Sequence, residues 1–446
     1  MKTLDINAVQ QTSYCIPLWL RDQQIGWAIK NVNGRVQAVT EKKTEPIAIA
    51  SFGPSLAKTW EKIKDYKHVM TCSGSHKFLV ERGIIPNFHL EVDPREHKVK
   101  LIGQPQKETE YLIASTCHKA VFDHLKDFNV KIWHVFDNDK EAFRVLPNGE
   151  WAILGGASVG LRCMTMARFL GFTEMDVFGM DGNIDDTSTG SHAAEHPNSP
   201  PARYETEYKG VKYLTTPSLL EVARQTWHEL NQMPDANIRF HGEGLVQAMA
   251  KDYKREPPIK GNAIIAIQKP ELISATYRDL NYQLHVENPA YGVGSEKYAP
   301  TVIKLCEQYK TTDCLDYGAG KRRLGRALPF HIAEYDPAIP EIAESPKPAN
   351  IVLCFDTLEH VEPDKINFVL EDLKRCVKVF GYFIIHTREA GKKYSNGENT
   401  HLIQKGRSWW ESKLAKRFKI GKIIETDPHL HVMVTPLEQP KQEKAA

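Results

Sequence analysis

The 446-residue chain has almost no net charge: 58 lysines and arginines stand against 56 acidic residues, a formal +2. That balance gives no bulk attraction to nucleic acid or to an anionic membrane surface. No apolar run reaches the roughly 18 residues needed to span a bilayer. The opening stretch MKTLDINAVQQTSYC lacks the apolar core of a signal peptide, so a cytoplasmic protein is expected. The eight cysteines (Cys15, Cys72, Cys117, Cys163, Cys306, Cys314, Cys354, Cys376) include no CxxC pair, which argues against a zinc site built from cysteines. Most lie in apolar contexts and read as reduced core thiols. Internal repeats, low-complexity blocks and the phosphate-binding GxGxxG pattern are also missing.

What is present is ordinary globular material, 41% hydrophobic and 26% charged, in a chain too long for one core. Punctuation divides it. Residues 1–45 form an extension whose apolar stretch Ile16 to Trp27 reads as a small β element. Residues 46–250 alternate strand-like and amphipathic helical runs, which is the pattern of a parallel α/β sheet. A charged segment with a Pro-Pro pair (KDYKREPPIKGN, 251–262) opens the expected linker 251–275. A second α/β alternation fills 276–436, and 437–446 is a polar tail. The fold class is α/β, with two Rossmann-like domains, each a mainly parallel sheet flanked by helices.

In the second region Leu315-Asp316-Tyr317-Gly318-Ala319-Gly320 runs an apolar strand into a glycine turn. A second strand-like run ends at Asp336, and a third closes on Asp356-Thr357-Leu358-Glu359-His360. Glycines let a backbone approach a ligand, and a carboxylate ending the next strand can accept both hydroxyls of a ribose. Without GxGxxG a nucleoside ligand lacking phosphates fits best, although Lys321, Arg322 and Arg323 stand ready to meet a phosphate. Over about 283–434 these elements resemble the class I S-adenosylmethionine (SAM)-dependent methyltransferases. The resemblance implies SAM as cofactor. Asp316, Gly318 and Gly320 would lie along its methionine part, and Asp336, rather than Glu334, on its ribose. Asp356 and Leu358 would come from the D-x-L-E-H segment. VKVFGYFIIH (Val377 to His386) resembles the helix end, turn and strand that follow, with Gly381 replacing the commoner Pro-Gly pair. Gly397-x-Asn399-x-His401 before Trp409-Trp410 resembles a subset of small methyltransferases. His401 or His360 would take a proton from an acceptor, although in-line methyl transfer depends chiefly on positioning. Tyr291 to Ser295, with Tyr298, forms a candidate lid. Paired tryptophans are more simply explained as core plus rim than as an acceptor platform.

The first region places glycine turns and acids at strand ends, where open α/β sheets put their ligand sites. Ile47 to Ala50 leads into Ser51-Phe52-Gly53-Pro54-Ser55, with Ser51 or Ser55 as a helix cap. A later strand delivers Asp93, Gly155-Gly156-Ala157-Ser158 opens a helix, and Gly179-x-Asp181 is followed by Ser191-His192 and His196. This ordered set resembles the family shared by MptE-like 6-hydroxymethylpterin diphosphokinases and Maf glycosyltransferases, across about 46–250. The resemblance implies that Gly53, Pro54, Ser55, Gly155, Gly156 and Ser158 line a nucleotide site. It makes Asp93 and Asp181 either Mg²⁺ ligands of a diphosphokinase or contacts to the donor or acceptor of a glycosyltransferase that uses a CMP-activated nonulosonic acid. His192 becomes the candidate acid or base.

Two classes of function follow. One is a bifunctional enzyme that transfers a group and then methylates a glycan or small molecule. The other is a methyltransferase whose first domain only binds a nucleotide or an acceptor. Nucleic acid is disfavoured as substrate, because the Asn/Asp-Pro-Pro-Tyr motif of amino-group DNA methylation is absent.

Overall fold

The structure is a computed structural model and describes residues 2–8, 15–136, 145–185, 192–194, 203–254, 265–289, 291–292 and 294–437. Ser191 and His196, residues 255–264 of the linker, Val293 and the tail beyond Leu437 lie outside the described residues. The chain forms two compact units, Met1–Leu146 with Glu150–Lys269, and Pro147–Gly149 with Pro270–Ala446. The division at Lys269/Pro270 falls within the segment 251–275. Among the described residues no helix is long and apolar enough to cross a membrane.

Unit 1 contains β1 (Ile47–Ala50), β2 (His68–Cys72), β3 (Phe88–Glu91), β4 (Glu110–Ala114), β5 (Asn129–Val135), β6 (Trp151–Ile153), β7 (Glu174–Phe178), the hairpin β8 (Tyr204–Tyr208) and β9 (Val211–Thr215), β10 (Asn237–His241) and β11 (Ala266–Gln268). The main sheet has the order β10-β7-β1-β2-β3-β4-β5-β6-β11. Every pairing in it is parallel except β6 with β11. Strands β1 and β4 are buried along nearly their whole length, as expected of a sheet covered on both faces. The chain runs outward from β1 to β6 and then returns to lay β7 on the other side of β1. Strand order therefore reverses at β1/β7, the position at which open α/β sheets place a ligand crevice.

The stretch expected to be a small β element is instead a helix, Leu18–Asn31. Its buried positions Arg21, Gln24, Ile25 and Ala28 recur at helical spacing. Two of them are polar, so no apolar stripe is visible in the sequence. Gln24 donates from Nε2 to the Pro94 carbonyl at 3.2 Å, and Trp27 packs on Phe122 with ring centroids 5.4 Å apart.

Unit 2 contains β12 (Cys314–Tyr317), β13 (Ala333–Tyr335), β14 (Ala349–Phe355), β15 (Val377–His386), β16 (Phe418–Thr426) and β17 (His429–Pro436), in the order β13-β12-β14-β15-β17-β16. The first four strands pair in parallel and the last two are antiparallel. Here the order reverses at β12/β14. No turn separates the helix Ile366–Cys376 from β15, and Gly381 lies inside that strand, where a Cβ would come within 2.7 Å of Val434. Seven of the eight cysteines are buried thiols and only Cys15 is exposed.

Candidate functional site

At the carboxyl ends of β12, β13 and β14 lies a cavity of about 350 Å³, within the range of small-molecule sites. Gly318, Ala319 and Gly320 contribute from the turn after β12, Asp336 and Ala338 from beyond β13, and Asp356 and Thr357 from beyond β14. The glycines are required by geometry. Gly318 has φ +86, and a Cβ there would meet Thr357 at 2.3 Å; Gly320 has φ +46, and a Cβ would meet the His285 ring at 2.7 Å. The Asp336 carboxylate accepts from the Gly320 amide at 3.0 Å and from the Ala338 amide at 2.9 Å. It is thereby fixed at the cavity edge with lone pairs to spare, while burial pushes its pKa up.

The neighbouring charges are turned to other work. Glu334 accepts from Arg322 Nε at 2.5 Å, Lys321 donates to the Asn288 carbonyl at 2.6 Å, and Arg323 lies 3.9 Å from Glu296. None of these four lines the cavity. Asp316 and Leu358 do not line it either. Asp316 is buried with its pKa pushed up to about 7, first by burial and then by the charges of Glu334 and Asp336. Leu358 is fully buried in the core beneath. Of the lid candidates Tyr291, Gly292, Gly294 and Ser295 face the cavity, whereas Tyr298 packs on Phe355 with ring centroids 5.0 Å apart.

The far wall holds Glu359, His360, His386, His401 and His429. Asn399 braces the loop that carries His401: its Oδ1 accepts from the amides of Ala390 (3.0 Å) and His401 (2.9 Å), and its Nδ2 donates to the Ala390 carbonyl at 2.8 Å. Burial lowers the pKa of His360 to about 3 and also lowers that of His401. Both are therefore neutral imidazoles near pH 7, and His360 is a very weak base. The sequence reading missed His285, His386 and His429, which no local motif marks.

In unit 1 the crevice at β1/β7 is filled from within. Asp181 accepts from the Ser55 amide (2.8 Å), the Ser55 hydroxyl (2.5 Å) and Gln247 Nε2 (2.9 Å). Ser55 therefore does not cap the short helix Leu56–Thr59, and its amide is already taken by the Asp181 carboxyl group. Gly53 is pressed against this knot, with its amide on the Gly179 carbonyl at 2.7 Å and no room for a Cβ beside Asp181; Pro54 is buried with it. The second glycine turn is satisfied in the same way. The Gly156 amide donates to Glu229 at 3.0 Å and the Ala157 amide to Gln225 at 2.6 Å. Gly155, at φ +133, lies against Arg162 and Thr165. Ser158 does cap its helix, accepting from the Leu161 amide at 3.3 Å. That helix reaches the crevice through Gly160, which lies against Ser51.

Beside this plug the ends of β2 and β3 present a cation. Lys98, buried and unmarked by any sequence motif, donates to Ser73 Oγ at 3.3 Å and lies 3.3 Å from Asp93. Asp93 is also held by Arg95 at 2.6 Å, and these cations lower its pKa to about 2 against the effect of burial. His192 packs against Phe52 with ring centroids 5.7 Å apart; burial, with help from Lys98, lowers its pKa to about 4. Asp93 and Asp181 are thus each engaged by protein groups, an arrangement that does not support Mg²⁺.

Residues 27–187 match the family model described as 6-hydroxymethylpterin diphosphokinase MptE-like, starting inside the first helix rather than at Pro46. No curated protein gives a significant match. Among solved structures, the MAf glycosyltransferase from Magnetospirillum magneticum AMB-1 is 13% identical, with TM-score 0.39 over 65% of this chain and 49% of its own, so this chain spans about half the length of that protein. The DhpI–SAH complex is 14% identical, covers 36% of this chain and 96% of its own, and has TM-score 0.27. The N-methyltransferase NodS from Bradyrhizobium japonicum WM9, in complex with S-adenosyl-L-homocysteine, is 11% identical and covers 36% of this chain and all of its own, with TM-score 0.26.

Proposed function

We propose that unit 2 is a SAM-dependent methyltransferase acting on a glycan or small molecule. The observation that carries this reading is Asp336, fixed by two backbone amides at the rim of the cavity. It lies directly beside a glycine turn that admits no side chain. The residues fit the cofactor. Asp336 accepts ribose hydroxyls, the Gly318–Gly320 turn allows close backbone approach, and the three basic residues after the turn point elsewhere, as a ligand without phosphates requires. Bound SAM supplies an activated methyl group. Tyr291 and Gly292 cover the cavity, and the far wall of histidines receives the acceptor. The reaction then depends on positioning rather than on a strong base. Calorimetry with S-adenosylhomocysteine tests it: micromolar binding to the wild type and at least a tenfold loss in Asp336→Ala are expected. Wild-type protein that does not bind would remove the assignment.

For unit 1 the match to an MptE-like model supports a nucleotide- or nucleotide-sugar-binding transferase domain. The buried cation Lys98, with Ser73, Asp93 and His192 around it, favours a Maf-like reading over a Mg²⁺-dependent pterin diphosphokinase, because Asp93 is already paired with two cations and Asp181 is already hydrogen-bonded by Ser55 and Gln247. Together the two units make a bifunctional transferase. Turnover of a CMP-activated sugar would support catalysis in unit 1, and binding without turnover would make it a recognition module.

A further inference from the structure

Glu359 is fully buried. Its Oε1 accepts from the His386 amide at 3.1 Å, but Oε2 is buried without a hydrogen-bond partner. A buried carboxylate oxygen left in that state is costly unless a cation or a proton meets it. Two imidazoles lie near this carboxylate. His360 Nδ1 lies 2.7 Å from the Thr400 carbonyl, and His401 Nδ1 lies 2.7 Å from the Arg388 carbonyl. A carbonyl can only accept, so each Nδ1 carries the proton and each Nε2 is left with a free lone pair. A backbone carbonyl on the distal ring nitrogen is also what fixes the tautomer of a metal-bound histidine. One ligand atom from each of Glu359, His360 and His401 lies within 4.8 Å of the other two. Ligand atoms around a shared ion at about 2.1 Å stand up to about 4 Å apart, so the set closes with small side-chain rotations.

We propose that Glu359, His360 and His401 bind one divalent transition-metal ion in the wall of the cavity. Two imidazole nitrogens and one carboxylate select first-row transition ions over Mg²⁺ or Ca²⁺, which prefer all-oxygen sets. Three protein ligands leave a coordination position open toward the cavity, as in catalytic metal sites. An acceptor bearing a hydroxyl fits that position. Its oxygen would gain the methyl carbon as the sulfonium carbon–sulfur bond breaks, leaving S-adenosylhomocysteine, while the hydroxyl proton departs to solvent. The metal site follows from geometry alone; only this use of it rests on the methyltransferase reading.

The test titrates Co²⁺ into untagged, chelator-treated full-length protein, followed by visible absorption and calorimetry, with S-adenosylhomocysteine binding measured on the same samples. Wild type should bind one equivalent of Co²⁺, competed by Zn²⁺. Glu359→Gln and His401→Asn should each weaken Co²⁺ at least tenfold and leave S-adenosylhomocysteine within about threefold. Asp336→Ala should do the reverse. His360→Asn, checked by thermal melting, replaces either variant that fails to fold. Absence of saturable Co²⁺ binding, or affinity unmoved by these substitutions, overturns the metal site even if S-adenosylhomocysteine binds. Co²⁺ bound without S-adenosylhomocysteine would instead overturn the cofactor reading alone.

Discussion

Asp316 and Asp336 end neighbouring parallel strands and look equivalent in the sequence, yet one is an interior acid and the other a rim acid. The difference is position along the strand: Asp316 lies inside β12, whereas Asp336 lies one residue beyond the end of β13, at the cavity. Asp316 lies opposite Glu334 in register, whereas Tyr317 lies opposite Tyr335 and reaches the cavity. Burial and two nearby acids raise the Asp316 pKa from 3.8 to about 7. Because the folded pKa exceeds the unfolded one, the unfolded chain releases this proton first. Stability is then complete below about pH 4, falls as pH rises toward 7, and levels off above it. The rise corresponds to about 4 kcal/mol at most. Asp316→Asn mimics the protonated acid and should abolish this dependence. The unit 2 transition in scanning calorimetry should rise by several degrees at pH 8 and stay unchanged at pH 4. Equal destabilisation at both pH values would mean that the carboxylate is ionised and partnered in the folded protein.

At the scale of elements, the helix Arg407–Ala415 shows what one of its two tryptophans does. Trp410 is fully buried in the unit 2 core, while Trp409 lies at its edge, with ring planes at 88°. Trp410→Ala should destabilise unit 2 by about 3–5 kcal/mol, and Trp409→Ala by less than about 1 kcal/mol. Chemical denaturation of the two variants checks the contrast, and comparable losses would contradict a core-plus-rim pair. This pairing was legible because burial on a short amphipathic helix is a local property. The helix Leu18–Asn31 was not, since buried Arg21 and Gln24 interrupt its apolar stripe while Ile16 to Trp27 mimics a strand. The glycine turn at Gly155-Gly156 was legible as a turn, but its occupant was not. Glu229 reaches the Gly156 amide from 73 residues away, so a protein carboxylate fills the place a phosphate would take.

For the whole molecule, both sheets reverse strand order where their first strand pairs on two sides, and both carry glycine turns and acids there. That much follows from alternating strands and helices with local punctuation. Whether each reversal is open depends on distant side chains: in unit 1 Asp181, Ser55 and Gln247 close it, whereas in unit 2 the described residues leave a cavity of about 350 Å³. The approach of Ser73 to Asp93 and Lys98, and of His401 to the adjacent Glu359 and His360, likewise joins residues that sequence spacing does not relate. Each unit has its own core and its own binding groups, so the two ligands should be separable by mutation. Lys98→Met removes the buried cation, keeps its apolar stem and leaves Asp93 paired with Arg95. It should weaken CMP binding at least tenfold and leave S-adenosylhomocysteine within about twofold, and Asp336→Ala should show the opposite pattern. Calorimetry of both ligands on both variants decides it. A substitution that lowers both affinities would show that the two sites are coupled and that the chain works as one machine rather than as two enzymes in series.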